Sequence, residues 1–138
     1  MTPQYLGAVS PILMLLVLIG ILAEDDFQPS NFANSMSVSS VVELSGARQS
    51  SGTLLARVGA SVRGVQDEPQ TAPFGPYVGA SVFLLTVYAD TDGETIGFEF
   101  TTGSGTAPLG ETVVFSVNGN AGNIVTPFVL TGTLPVSV

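Results

Sequence analysis

The pattern of apolar and polar positions divides the chain into an apolar N-terminal stretch and a long remainder rich in strand signals. Residues 6–23 read LGAVSPILMLLVLIGILA, an almost uncharged run that three acidic residues follow directly. Beyond Asn34, no stretch keeps apolar residues at helical spacing for ten residues. Instead, β-branched and aromatic runs bounded by Gly, Asn, Asp and Pro recur at the spacing of a meander. The pattern therefore predicts an all-β domain behind an apolar leader.

The middle of the chain carries the clearest strand signals. Residues 81–89 are apolar on both faces of an extended chain, which predicts a central strand. The segment Asp-Thr-Asp-Gly at 90–93 predicts a turn. Residues 94–101 then alternate, and this pattern sends Ile96, Phe98 and Phe100 to one side. These two strands are expected to form the centre of the fold.

The remaining strands are predicted with less regular patterns. They cover residues 35–44, 53–58, 61–65 and 124–134. In the first of them the alternation shifts phase at Val41 and Val42, which predicts a bulge or a strand that changes face. Gly59 and Ala60 predict a hairpin turn, and Pro127 marks the last strand as an edge or bulged element. Residues 66–79 and 103–109 are predicted as loops.

Two segments of the chain begin with the same three residues. Gly-Glu-Thr-Ile-Gly-Phe at 93–98 is echoed by Gly-Glu-Thr-Val-Val-Phe at 110–115, which predicts a further strand entered in the same way. A 17-residue offset is short for a repeat fold, so the echo indicates similar entry into two strands. Six to eight strands with short turns predict a two-sheet antiparallel β-sandwich over residues 35–138, with residues 24–34 as a tether.

The apolar stretch predicts export of everything that follows it. Its apolar part is shorter than a spanning helix prefers, Pro11 and Gly20 interrupt it, and Ala23 closes it as a signal-peptidase site requires. Residues 1–23 are therefore predicted to be a cleaved signal peptide, with a retained membrane anchor over residues 6–23 as the alternative. In both cases the acidic flank predicts an extracellular or cell-surface location for the domain.

Composition excludes several classes of function. The 138 residues carry a formal net charge of −8, with three Arg, no Lys, no His and no Cys. Without Cys or His, the common zinc, haem, iron–sulfur and thiol sites lack their ligands, and Ser–His or Cys–His catalysis is excluded. Binding to nucleic acid needs clustered cations, which three arginines do not supply. No catalytic residues are predicted, and the sequence indicates a non-enzymatic protein.

Several segments in order carry a family resemblance. They are Asn34-Ser-Met-Ser-Val38, Val62-Arg-Gly-Val65, the run Phe83-Leu-Leu-Thr-Val-Tyr-Ala-Asp-Thr-Asp-Gly-Glu-Thr-Ile96 with Phe98, Val117-Asn-Gly119 and Pro127-Phe-Val-Leu130. Together, over about Phe27 to Thr133, the chain resembles a β-sandwich module that is repeated in large secreted and cell-surface proteins of bacteria. The resemblance implies an extracellular module without catalytic residues. Such modules commonly have Ala-Ala-Phe where this chain has Ala56-Arg57-Val58, so a charge occupies a position that we expect to be packed.

Acidic residues supply one candidate site. Asp90, Asp92 and Glu94 follow one another at every second position, a spacing that can place several oxygens around Ca²⁺, although the twelve-residue loop of an EF-hand is missing. The competing interpretation is a hairpin turn in which Gly93 supplies a positive φ. A structural calcium ion is the one cofactor that the sequence suggests.

A proline-rich loop and one arginine supply the other candidates. A loop that proline stiffens contains Phe74, Pro76 and Tyr77. Exposed aromatic residues in such a loop would contact a partner. The alternative is that both rings cover one end of the sandwich. Arg63, before Gly64, is interpreted as a structural ion pair or a hydrogen-bond donor at a strand end, with a ligand-binding group as the alternative.

The sequence predicts an exported, non-catalytic module that works by surface contact in adhesion, extracellular matrix or cell-surface assembly. Its partner is expected to be a protein or a glycan at the cell surface, or a second copy of the chain. Two alternatives stay open: a membrane-anchored accessory subunit of an envelope complex, and a self-assembling protein of a filament or virion. The membrane would be contacted only through residues 6–23.

Overall fold

The strands follow from the alternation of buried and exposed positions along the chain. The computed structural model describes residues 27–134, so the predicted leader over residues 1–23 and the start of the tether lie outside the described residues. The described part contains a short 3₁₀ turn at Pro29–Asn31. It also contains the strands β1 (Asn34–Leu44), β2 (Ala47–Arg48), β3 (Thr53–Val58), β4 (Ser61–Gln66), β5 (Gln70–Thr71), β6 (Ser81–Ala89), β7 (Thr95–Thr102), β8 (Gly105–Pro108), β9 (Val113–Val114), β10 (Asn120–Ala121) and β11 (Phe128–Gly132).

These strands form two sheets. In the first sheet the order is β10-β1-β6-β5, and β2 and β11 also pair with β1. In the second sheet the order is β4-β3-β7-β8, with β9 beside one end of β7. All pairs are antiparallel except those of β1 with β10 and β11, which are parallel. The predicted all-β architecture with two sheets is confirmed, but the described residues form eleven strands and not the predicted six to eight, since several strands have only two residues. β1 and β11 also form a parallel ladder that the sequence did not predict.

The core lies between the inner faces of the two sheets. Ile96, Phe98 and Phe100 of β7 are buried, as their alternation predicts, and they face the inner residues of β6. The rings of Phe83 and Phe100 meet edge to face with their centres 5.3 Å apart. β6 pairs with β1 along most of its length, but β5 pairs with it only at Ser81 and Val82, so the predicted central strand has a neighbour on both sides only at its start.

The predicted phase shift in β1 is wrong. β1 pairs with β6 from Asn34 to Ser40 and with β11 from Ser40 to Leu44 without any shift of register. Val42 continues the inner face, whereas Val41 lies on the outer face. Val41 is buried there because residues of the long loop before β6 cover it. Because Val41 and Val42 are buried on opposite faces of β1, the sequence shows two adjacent apolar residues although the strand does not change face.

Three other segments differ from the prediction. Residues 66–79, predicted as a loop, contain the two-residue strand β5. Residues 103–109, predicted as a loop, contain β8, an edge strand whose small and polar residues give little strand signal. The last strand begins at Phe128, because residues 123–126 form a turn. In that turn the side chain of Asn123 accepts hydrogen bonds from the backbone N–H groups of Val125 (2.9 Å) and Thr126 (2.8 Å), and Pro127 has no N–H to donate.

Among the described residues, the edge of β6 opposite β1 has no strand partner beyond Val82. β4 of the second sheet passes along this free edge, and the two sheets come into close contact there. A Cβ added to Gly64 would lie 2.4 Å from the carbonyl oxygen of Thr86, which leaves no room for a side chain. On either side of this contact, Gln66 Nε2 donates to the carbonyl of Leu84 (2.7 Å) and Arg63 donates to that of Tyr88 (3.3 Å). Side chains of β4 therefore cover the edge that β5 leaves open.

We expect Gly64→Ala to destabilise the protein by about 2 kcal/mol or more, because the new methyl group overlaps a backbone oxygen that cannot move alone. The matched control is Gly97→Ala on β7, where the nearest atom to an added Cβ is 3.9 Å away. The control should change the free energy of unfolding by less than about 0.5 kcal/mol. Denaturant unfolding of both variants measures this, and an equal effect of the two substitutions would contradict the close approach.

Candidate functional site

The position of Arg63 depends on a β-bulge. In the ladder between β3 and β4, Ala56 pairs with Gly64 and Arg57 pairs with Val62, so Arg63 is the extra residue on its strand. A bulge turns a side chain away from the regular alternation. Here it directs the guanidinium of Arg63 toward the turn between β6 and β7, and the residue is only 9% exposed.

Arg63 joins four parts of the molecule. Its guanidinium donates to both carboxylate oxygens of Glu94, at 2.8 and 3.1 Å, and to the backbone carbonyl of Tyr88. Its Nε donates to Ser61 Oγ (3.0 Å), and its plane lies over the ring of Phe32 with 4.9 Å between the guanidinium carbon and the ring centre. The guanidinium is thus paired, hydrogen-bonded and stacked within the fold, an arrangement that stabilises a charged group at low exposure.

Residues 27–34 pack against this cluster, so this part of the predicted tether belongs to the folded body. The ring of Phe27 lies 5.9 Å from that of Tyr88 and 6.5 Å from that of Phe32. The N–H of Ala33 donates to Asp90 Oδ1 (2.9 Å), and Asn34 Nδ2 donates to the carbonyl of Asp90 (3.0 Å). The segment is thereby tied to the turn after β6.

The three candidate calcium ligands contact different parts of the protein. Asp90 accepts from Ala33, Asp92 Oδ1 accepts from the N–H of Val117 (2.7 Å), and Glu94 binds Arg63. Gly93 has a φ of 98°, which the turn requires. Between residues 27 and 134, no three acidic side chains come close enough to hold a metal ion. Calcium binding at this turn stays a prediction of the sequence alone.

The second Gly-Glu-Thr segment makes a similar link. Glu111 accepts hydrogen bonds from both the N–H and the hydroxyl of Thr131, each at 2.6 Å, and so ties the end of β8 to β11. Burial raises the pKa of Glu111, but these hydrogen bonds outweigh it and leave the pKa below its usual value. The two echoed segments also pair with each other, since Ile96 stands opposite Val113.

The loop before β6 is anchored at one aromatic residue and exposed at another. Tyr77 packs against Val41 and Val82 on the outer face of the first sheet, and the guanidinium carbon of Arg48 lies 4.6 Å from its ring centre. Phe74, in contrast, is 62% exposed, and Pro76 is exposed beside it. One ring therefore covers the sheet, and the other faces solvent.

Backbone hydrogen bonds hold this loop in shape. Ala72 and Ala80 lie opposite each other at its base, where the N–H of Ala72 donates to the carbonyl of Ala80 (2.9 Å). Val78 donates to Gly75 (3.1 Å), and Gly79 donates to Ala72 (2.9 Å). Val78 is 63% exposed and adds a second apolar side chain to the surface of the loop. Sequence reasoning missed Val78, because a lone valine in a loop carries no signal of exposure.

We define the contact loop as residues 72–80, with Phe74 and Val78 as its exposed apolar side chains.

Within residues 27–134, no helix is long and apolar enough to cross a membrane. Comparison of the chain with protein-family models, with curated proteins and with solved structures finds no significant match.

We expect Arg63→Ala to lower the free energy of unfolding by about 2 kcal/mol, because it leaves Glu94 and the carbonyl of Tyr88 without their donor and removes the stacking on Phe32. Arg63→Lys should restore little of this loss, since an ammonium group cannot bind both carboxylate oxygens in the same geometry. The comparison is Arg48→Ala, which removes a 3.7 Å contact with Glu43 and the stacking on Tyr77 at a half-exposed position and should therefore cost less. Thermal unfolding that showed equal losses for Arg63→Ala and Arg48→Ala would contradict this role.

A pH series tests the same pair. The hydrogen bond from Arg63 holds the pKa of Glu94 below its usual value, against the opposing effect of burial. A lowered folded pKa gives stability that is present above the unfolded pKa and lost as pH falls through the folded pKa. We therefore expect the Tm difference between the wild type and Glu94→Gln to be largest near neutral pH and to shrink as the pH falls below the pKa of an unfolded glutamate, about 4.3. As the control, Glu68→Gln removes an exposed charge and should have nearly the wild-type Tm at every pH of the series. A Tm difference for Glu94→Gln that stays constant with pH would contradict the linkage.

Proposed function

We propose that this chain is an exported, non-catalytic β-sandwich module that works by surface contact at the cell surface, with the contact loop as its principal binding element. The observation that carries the proposal is the pair Phe74 and Val78. Both side chains are more than three-fifths exposed on a loop whose backbone is held by its own hydrogen bonds and by Tyr77. Apolar side chains on an ordered loop lose little entropy on binding and are typical of contact surfaces.

The acidic side chains support a non-catalytic role. Glu94 binds Arg63, Glu99 binds Arg57 and Glu111 binds Thr131, so these carboxylates hold strands and turns together. Arg57, the charge at a position expected to be packed, lies half-buried on the outer face of the second sheet beside Glu99. Carboxylate pairs that work as acid and base need instead to face a common substrate site.

The location at the cell surface rests on the sequence. The apolar stretch over residues 6–23 and its acidic flank favour export of the sandwich, either as a free protein after cleavage or on a retained anchor. N-terminal sequencing of the mature protein distinguishes the two, because a start near Glu24 removes the anchor. The partner is a protein or glycan at the surface, or a second copy of the chain.

We expect the double substitution Phe74→Ser and Val78→Ser to weaken binding of the full chain to intact cell envelopes about ten-fold or more, because it removes the apolar area that contact would bury. The control is Val114→Ser, which removes a valine with the same 63% exposure from β9 of the second sheet. All variants should unfold at the wild-type temperature. Sedimentation of labelled protein with envelopes measures the binding, and a loop variant that binds as well as the control would contradict the proposal.

A further inference from the structure

A shallow groove of about 270 Å³ crosses the outer face of the first sheet. Ser37 of β1 stands opposite Asn120 of β10 on one side and opposite Thr86 of β6 on the other. Residues opposite each other in a ladder present their side chains on the same face. Three uncharged polar side chains therefore form one row across three neighbouring strands, and all three line the groove.

Ser39 is a second and independent feature of the groove. It lies two residues along β1 from Ser37, on the same face, and stands opposite Leu84 of β6. The residue is only 9% exposed, yet it lines the groove. No side-chain hydrogen bond among residues 27–134 involves its hydroxyl. Because most of the residue is buried and its hydroxyl has no protein partner in this part of the chain, the hydroxyl remains available to hydrogen-bond with a ligand in the groove.

The chemistry of the groove selects an uncharged ligand. Every residue that lines it is neutral, although the chain carries eleven acidic residues. A charged ligand would lose water there without gaining an opposite charge. Hydroxyl and amide side chains both donate and accept hydrogen bonds, and so do the hydroxyl groups of a sugar. Leu84 and Ile124 add apolar surface against which the C–H face of a sugar ring can pack.

We propose that this groove binds a short segment of a neutral oligosaccharide. The inference rests on the proposed role in surface contact, but it depends on residues outside the contact loop. The two elements are neighbours, since Ile124 packs beside Tyr77 and an added Cβ on Gly75 would lie 2.9 Å from Val125. A glycan held in the groove would therefore run beside the exposed apolar residues of the loop.

The test is a titration of the ¹⁵N-labelled full chain, followed by nuclear magnetic resonance in a buffer free of sugar-based detergents. The probes are cellohexaose, maltohexaose, mannohexaose and chitohexaose, with an acidic hexagalacturonate as the charged comparison. At least one neutral probe should shift the amide signals of Ser37, Ser39, Thr86 and Asn120, and the acidic probe should not. The proposal is overturned if none of the four neutral probes shifts these signals, or if hexagalacturonate shifts them equally.

Matched variants separate the groove from the loop. Ser37→Ala combined with Thr86→Val removes two hydroxyls and should weaken binding of the neutral probe about ten-fold. Thr95→Val, which changes an exposed threonine on β7 outside the groove, should leave binding unchanged. The double variant Phe74→Ser, Val78→Ser should keep the probe-induced shifts at Ser37 and Thr86. If the loop double variant loses envelope binding while no neutral probe binds in the groove, the contact role stands and the glycan assignment fails. The glycan assignment is also overturned if the groove double variant binds the neutral probe with wild-type affinity.

Discussion

The closure of the free edge of β6 by side chains of β4 is the constraint on which the rest of the structure depends. Three alternate carbonyls of β6, those of Leu84, Thr86 and Tyr88, meet β4 in succession. The first accepts from Gln66, the second lies against Gly64 and the third accepts from Arg63. An uncovered edge of this length would invite pairing with another chain. Here the edge is covered without a backbone ladder, and the same contacts join the two sheets into one body.

Because β6 is fixed on its edge and on its inner face, its outer face becomes a rigid platform. Val82 at one end supports Tyr77 and hence the contact loop, whereas Leu84 and Thr86 form one side of the groove. The apolar loop and the neutral groove are thus two features of one surface, held by one strand. A surface that is ordered before it binds loses less conformational entropy on binding, which suits a module that works by contact.

The sequence predicted the elements whose burial is simple and failed where distant residues decide burial. The alternation of β7 and the apolar run of β6 sufficed to predict a two-sheet β-protein. Val41 misled the prediction because the contact loop, about thirty residues away, covers the outer face of β1. The short strands β5 and β8 carry too few apolar residues to be recognised, whereas β9 was predicted from the repeated Gly-Glu-Thr segment. The sequence did not predict the row of Ser37, Thr86 and Asn120, since only the register of three strands brings these residues together.

The central claim is that the contact loop is a fixed part of the sandwich, and amide hydrogen exchange of the full chain tests it most directly. The N–H groups of Val78, Gly79 and Ala80 each donate to a carbonyl within the loop at 2.9 to 3.1 Å. The account predicts that these three amides exchange much more slowly than an unstructured chain does, in step with those of β6. Exchange of the loop amides at the unprotected rate, while β6 stays protected, would contradict it.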